Sequence, residues 1–179
     1  MNELYFITGN EGKLREAKSF VPEINGLKLE LTEIQSLDPH EVIKHKLEKA
    51  KSKHSGNFIV EDTSLVISCL NGLPGTLIKW FEKSVGLDGI VKIVKAYGNN
   101  KAAAKCTIGL SLNGNIEFFE GNINGHIAES SGENGFGWDK IFIPEGYNKT
   151  FAEMSSEEKN KISHRKIAFE KLKKYLSNL

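Results

Sequence analysis

"YFITGNEGKLREA", Tyr5 to Ala17, runs from a short apolar stretch into a turn bearing glycine and lysine, and then into a helix-like stretch. A strand that ends on such a turn and continues as a helix gathers backbone N–H groups at the helix N-terminus, where an anion is favoured. Thr8, Gly9 and Asn10 would supply those groups, and Lys13 adds a point charge about one turn further on. The same residues also read as a plain strand-to-helix turn, with Asn10 capping the helix and Lys13 in water. The turn is not a Walker loop. Gly9 and Gly12 are too close together, and Lys13 is followed by Leu14 where that motif needs Ser or Thr for magnesium.

Working outward, Leu4 to Thr8 predicts a buried strand and Lys13 to Phe20 a helix. Lys28 to Ile34 predicts a second strand. From Pro39, Ile43, Leu47 and Ala50 recur at helical spacing with lysines on the other face. "NFIVEDTSLVISCL" is an apolar, β-branched run interrupted by two acids. It reads as a buried strand that reaches a site and continues past it. "NGLPGT" is a loop by its Gly and Pro content, and two helices follow, stopping at Gly86 and Gly98. In "CTIGLSL", Cys106, Ile108, Leu110 and Leu112 alternate. Asn113-Gly114 then signals a hairpin into "NIEFFEG", with "NINGHIAE" as a further strand. "SSGENGFGWDKIFIPEGY" is loop-like. Ser155 and Glu158 form a capping box, and Phe169, Leu172, Leu176 and Leu179 follow with helical spacing. This order, βαβα, then α, a β-meander and α, predicts a mixed α/β sheet protein.

The chain has 179 residues, enough for one domain, residues 1–179, with a substantial core. Its 24 basic residues against 23 acidic ones argue against a protein that grips a nucleic-acid backbone, which needs a strongly basic face. A local cationic pocket for a small anion remains open. Cys69 and Cys106 each lie in apolar runs and read as buried free thiols rather than a disulfide or metal site. "MNELYFITGN" has Glu3, no basic n-region and too short an apolar run for a signal peptide. No stretch approaches the length of a membrane span. A cytoplasmic protein is expected, with no nucleic acid and no membrane as partner.

Three further groups bear chemistry. Glu61 and Asp62 stand side by side in a run that otherwise wants burial, where unpaired carboxylates are costly. A divalent cation is one solution, since Mg²⁺ takes one or two carboxylates plus phosphate oxygens. Glu33 could supply another ligand. The alternative is that the strand emerges into solvent at Glu61. "GFGWDK", Gly135 to Lys140, sets Phe136 and Trp138 between glycines, beside Asp139. Either aromatic could stack on a planar base and Asp139 could accept from its edge, or the aromatics could plug the core beneath a loop. Finally, Ser163, His164 and Arg165 stand at the start of the last helix, where adjacent donors suit a carbonyl or phosphate oxygen. His40, His45, His54 and His126 read as structural or exposed.

In this order, "FITGNEGKLREA", "EIQ", "VEDTSL", "NGLPGTLIKWF", "GFGWDKIFIPEGYNKTFAEM" and "EEKNKISHRKIAFE" resemble the inosine triphosphate pyrophosphatase family over nearly the whole chain. The resemblance implies an elongated α/β fold with a mixed central sheet, two lobes around a substrate cleft, and a homodimer. It implies Mg²⁺-dependent cleavage between the α- and β-phosphates of ITP, dITP and XTP, giving the monophosphate and pyrophosphate and so cleansing the nucleotide pool. By position, Thr8, Gly9, Asn10 and Lys13 resemble the phosphate-binding turn. Glu33 and Asp62 resemble the magnesium carboxylates, with Asp62 also accepting the attacking water's proton and Lys13 serving the catalytic step. Thr63, Lys46 and Lys79 match positions facing the substrate, and Lys159 matches one near the base. Phe136, Gly137, Trp138 and Asp139 match the base-pocket loop, and His164 with Arg165 the base-reading pair. Lys140 stands where many members have proline, and the segment from Glu33 to Pro39 is shorter than in some.

On that reading, selectivity follows from the base edge. A 6-oxopurine accepts at O6 and donates at N1, whereas adenine does the reverse. A pyrophosphatase for modified pyrimidine nucleotides is a rival that "GFGWD" and "SHR" speak against. A nucleotide sensor without catalysis is a second rival, which need not keep Glu33, Asp62 and the lysines.

Overall fold

A computed structural model describes residues 3–179. The strands are β1 (Leu4–Ile7), β2 (Asn25–Leu27), β3 (Asn57–Ile67), β4 (Pro74–Gly75), β5 (Lys101–Leu112), β6 (Asn115–Ile127) and β7 (Phe142–Pro144). The helices are α1 (Glu11–Phe20), α2 (Pro39–Lys53), α3 (Ile78–Tyr97), α4 (Ser156–Ile162) and α5 (His164–Leu176). The strands form one mixed sheet in the order β2-β1-β3-β5-β6-β7, with β4 paired to β3. β1 is parallel to both β2 and β3, whereas β4 on β3 and β7 on β6 are antiparallel. The expected mixed α/β sheet is therefore present.

Local chemistry explains most boundaries. Asn10 accepts from the Lys13 N–H and caps α1, which starts two residues earlier than expected. Asp38 accepts from the His40 N–H, and Pro39 opens α2 where its missing donor costs nothing. α3 breaks at Gly86, whose φ of 70° is not helical, and closes on a left-handed Gly98, so the two expected helices are there. The turn between β5 and β6 has positive φ at both Asn113 and Gly114, as a two-residue hairpin demands.

Five expectations differ, the first being "NGLPGT", expected as a loop, which contains β4 because Pro74 and Gly75 pair with Val66 and Leu65 of β3. The second strand lies at Asn25–Leu27, not Lys28 to Ile34. The β1 ladder ends where Thr8 N–H meets the Leu27 carbonyl and the chain turns into α1, so later residues find no strand to pair with. Leu29 and Leu31 alternate because they pack on the core, not because they belong to a ladder. "NINGHIAE" is not a separate strand; its residues to Ile127 continue β6, since Gly121 keeps an ordinary φ and makes no turn. The loop-like stretch around Phe142 contains β7. Leu179 lies beyond the end of α5 and is exposed.

The chain divides into two compact units. The first comprises Met1–Thr63, Cys106–Gly121 and Arg165–Leu179, and the second Ser64–Lys105 and Asn122–His164. In the first, helices cover both faces of the strands. Phe6 and Ile59 point to a cluster with Ala17 of α1 and Ala168, Phe169 and Leu172 of α5. Ile7, Phe58 and Val60 point the other way, to Ile43, Leu47 and Ala50 of α2. Each Val, Leu, Ile or Phe side chain among them contributes about 1.5–3 kcal/mol on burial. In the second unit, Ile78, Ile90, Val91 and Val94 of α3 pack with Trp138, Phe142 and Phe151.

Candidate active site

The pleat of β3 sends consecutive side chains to opposite faces. Glu61 follows Ile59 towards α1 and α5, and Asp62 follows Val60 towards α2. Both are buried, so the strand does not surface at Glu61.

On the first face, Arg165 Nη2 and Nε donate to Glu61 Oε1 and Oε2 at 2.7 and 2.8 Å. Lys13 Nζ lies 3.0 Å from Oε1, to which the Thr63 hydroxyl also donates at 3.0 Å. Arg165 is fully buried and also reaches Glu16 Oε2 at 2.5 Å and Thr63 Oγ1 at 3.2 Å. Burial works against the Glu61 anion. Arg165 and then Lys13 overcome that cost and hold its carboxyl far below the usual range. Cys106, free and buried, lies 3.9 Å from Glu61 Oε2, and burial followed by the Glu61 charge pushes its thiol well up. Cys69 is free and only half-buried.

On the second face, Asp62 Oδ1 is 3.3 Å from Lys46 Nζ, which lies 2.5 Å from Glu33 Oε1. Two carboxylates thus share one ammonium. Asp62 Oδ2 is buried with no hydrogen-bond partner among the described residues. Burial raises the Asp62 pKa, Lys46 and Lys13 oppose the rise, and Glu33 adds to it; the net shift is upward. Burial opposes the Lys46 cation, but Asp62 and then Glu33 stabilise it and raise its pKa.

No group of three or more His, Cys, Asp or Glu side chains is disposed around a metal-sized space among the described residues. The donor set suits Mg²⁺ all the same, because that ion is held by one or two carboxylates and completes its shell with phosphate and water oxygens. The unmet Asp62 oxygen is the place such an ion would satisfy. At the turn, the Thr8 hydroxyl accepts from the Asn10 N–H at 3.1 Å, and Gly9 is exposed. Asn10 is indeed a cap, but Lys13 is held against Glu61 rather than left in water.

In the second unit, Trp138 and Asp139 are buried while Phe136 is half-buried. Trp138 stacks edge-on against Phe142 and lies 5.5 Å from the His164 ring, so it fills core beneath the loop. Phe151 lies on His164 as well, at 6.0 Å. Asp139 Oδ2 accepts from the Phe136 N–H at 2.8 Å and from Lys159 Nζ at 2.6 Å. Lys159 also sits 4.7 Å from the centre of the Phe136 ring. Gly135 has a φ of 73°, and a Cβ there would stand 2.3 Å from Asp139 Oδ2, so this position needs glycine. Lys79 is exposed on α3, 5.9 Å from the Trp80 ring centre.

The structure thus gathers Lys13, Glu33, Lys46, Asp62 and Thr63 in the first unit, and Phe136, Gly137, Trp138, Asp139, Lys159 and His164 in the second. The neighbours His164 and Arg165 part company: His164 joins the second unit's aromatic cluster, and Arg165 the first unit's ion network. Sequence reasoning missed Glu16 and Glu82. Glu16 carried a signal, since it lies three residues after Lys13 and so shares its helix face. Glu82, half-buried beside Gly137, carried none.

The Ham1 family matches residues 4–175. The inosine triphosphate pyrophosphatase of Schizosaccharomyces pombe is 39% identical over 183 residues, covering 99% of this chain and 97% of its own. That of Yarrowia lipolytica is 42% identical, covering 96% and 94%. The structure of the Staphylococcus aureus Ham1 protein superposes with a TM-score of 0.81 at 29% identity, covering 98% of both chains. A HAM1 protein from Coxiella burnetii gives 0.85 at 27% identity over the full length of both. With a match running from β1 into α5, and relatives this similar over nearly their whole length, the chain belongs to the Ham1 family.

Proposed function

We propose that the protein hydrolyses ITP, dITP and XTP between the α- and β-phosphates, with Mg²⁺, releasing the monophosphate and pyrophosphate. The observation that carries this reading is Asp62. A buried carboxylate that keeps one oxygen unmet beside a lysine and a second carboxylate is poised for chemistry. Family membership, and the activity named for its relatives, support the reaction class.

Asp62 and Glu33 would hold the metal. When bound, Mg²⁺ would offset phosphate charge that otherwise repels a nucleophile. Asp62 orients a water and takes its proton as the water oxygen bonds to the α-phosphorus and the bond to the pyrophosphate oxygen breaks. Lys13 and Lys46 hold the triphosphate and stabilise charge on the leaving group, with Thr8, Gly9, Asn10 and Thr63 as hydrogen-bonding neighbours and Lys79 as a further cation. For the base, Phe136 offers a ring face, while Trp138, Asp139 and Lys159 shape its loop. His164 is the candidate donor to O6, whereas Arg165, expected with it, is buried and engaged by Glu61, Glu16 and Thr63 and holds that network in place. The family resemblance also supports a homodimer in the cytoplasm, and a monomeric mass by sedimentation would remove the dimer.

The test is pyrophosphate release from ITP, XTP, dITP, GTP and ATP, with Mg²⁺ and with EDTA. Metal-dependent release from the first three is expected. Nucleotide binding without release from any would overturn the enzyme in favour of a sensor.

A further inference from the structure

Asp139, the acid that the sequence offers for a base edge, is tied into its own loop through Oδ2. It is buried, and one oxygen serves both the Phe136 N–H and Lys159. A second carboxylate stands at the same loop. Glu82, on the first half of α3, is half-buried and faces Gly137: a Cβ built there would stand 3.4 Å from Glu82 Oε2 and 4.0 Å from Oε1. Among the described residues no hydrogen bond or ion pair reaches Glu82. Burial, and then the Asp139 charge, push its carboxyl up. A half-buried acid without a donor gains from one, and next to it lies the exposed backbone of Gly137 and the Phe136 ring.

We infer that Glu82 is a specificity-determining residue, whose carboxylate accepts a hydrogen bond from the N1–H of a 6-oxopurine stacked on this loop. The inference rests on the proposed function for its substrate class and deepens it. Hypoxanthine, xanthine and guanine all donate at N1. Adenine instead presents a lone pair there, which a carboxylate repels and leaves both acceptors unmet. Glu82 therefore rejects adenine and does nothing to separate guanine from hypoxanthine.

Binding of IMP, GMP and AMP by calorimetry tests this without any turnover, on the wild type, Glu82→Ala and Glu82→Gln, each with its Tm. Glu82→Ala is expected to weaken IMP and GMP together by roughly tenfold to a hundredfold, and to tighten AMP, whose N1 lone pair no longer meets a carboxylate. Glu82→Gln, which keeps a carbonyl acceptor and adds a donor for adenine N1, should retain part of the IMP affinity and gain AMP. An IMP-to-AMP preference that survives in both variants overturns the inference, as does an equal loss for all three nucleotides. If Glu82→Ala fails to fold, the isosteric Glu82→Gln decides. Wild-type ITP hydrolysis, measured alongside, reports on the reaction itself, so absence of turnover would sink the proposed function while the binding ratios still judge Glu82.

Discussion

The two faces of β3 treat neighbouring acids in opposite ways. Towards α1 and α5, Glu61 is surrounded by Arg165, Lys13 and Thr63, both its oxygens are engaged, and its pKa is driven down. Towards α2, Asp62 shares a single lysine with Glu33, keeps one oxygen unmet, and has its pKa raised. Both are buried; the supply of donors differs. A carboxylate whose charge is fully answered by the protein is a fixture, and one left partly unanswered keeps its capacity for a ligand or a proton.

The comparison breaks first at Asp62. Asp62→Asn should lower kcat about 10³-fold, within the range for loss of a general base, with little change in KM. Steady-state kinetics on ITP checks this, and a loss carried mainly by KM would reduce Asp62 to a binding group. Its Tm should stay at or above that of the wild type, because a neutral amide no longer carries a poorly answered buried charge. Glu61→Gln should do the reverse, costing about 3 kcal/mol of stability by leaving Arg165 buried without its anion. The urea midpoint should fall with the slope unchanged. Glu61→Gln combined with Arg165→Met should recover much of the loss, which separates the broken pair from a mere change of shape.

Acid sharpens the contrast. With its folded pKa depressed, Glu61 contributes stability that is complete above the ordinary value of 4.5 and fades as pH falls towards the folded value. Asp62, with its folded pKa raised from 3.8, has the opposite sign: its contribution is complete when protonated and is lost as pH rises through the folded value. Urea unfolding between pH 7 and pH 3 should therefore show the wild type losing more stability than Glu61→Gln, while Asp62→Asn loses at least as much as the wild type. The smallest effect expected is a rise in Tm with millimolar Mg²⁺ in the absence of nucleotide, absent from Asp62→Asn and reduced in Glu33→Gln. An equal rise in all three proteins would place the ion elsewhere.

Much of this was legible in the residues. The strand around Glu61 and Asp62, the helix carrying Ile43, Leu47 and Ala50, and the Asn113-Gly114 turn follow from period and turn chemistry, which are local. Lys28 to Ile34 misled because alternation reports burial on one side, not a neighbouring strand to pair with. Trp138 could be read as a stacking surface or a plug, and only the position of Phe142 and His164 decides for the plug. Arg165 reads as a donor for a ligand when its carboxylate partner is 104 residues away in the chain. Pairings of that kind leave no trace in spacing, and the same holds for Glu82 beside Gly137.

That long-range pairing also sets an order of assembly. The first unit is stitched from three separated segments, the last of them beginning at Arg165, whereas the second draws on nothing beyond His164. As the chain leaves the ribosome, Glu61 emerges long before its counter-ion, and the Glu61–Arg165 pair cannot close until α5 has been made. A chain halted before Arg165 would hold every residue of the second unit and yet lack the guanidinium that engages both oxygens of Glu61, so premature termination there leaves that acid to Lys13 and Thr63 alone.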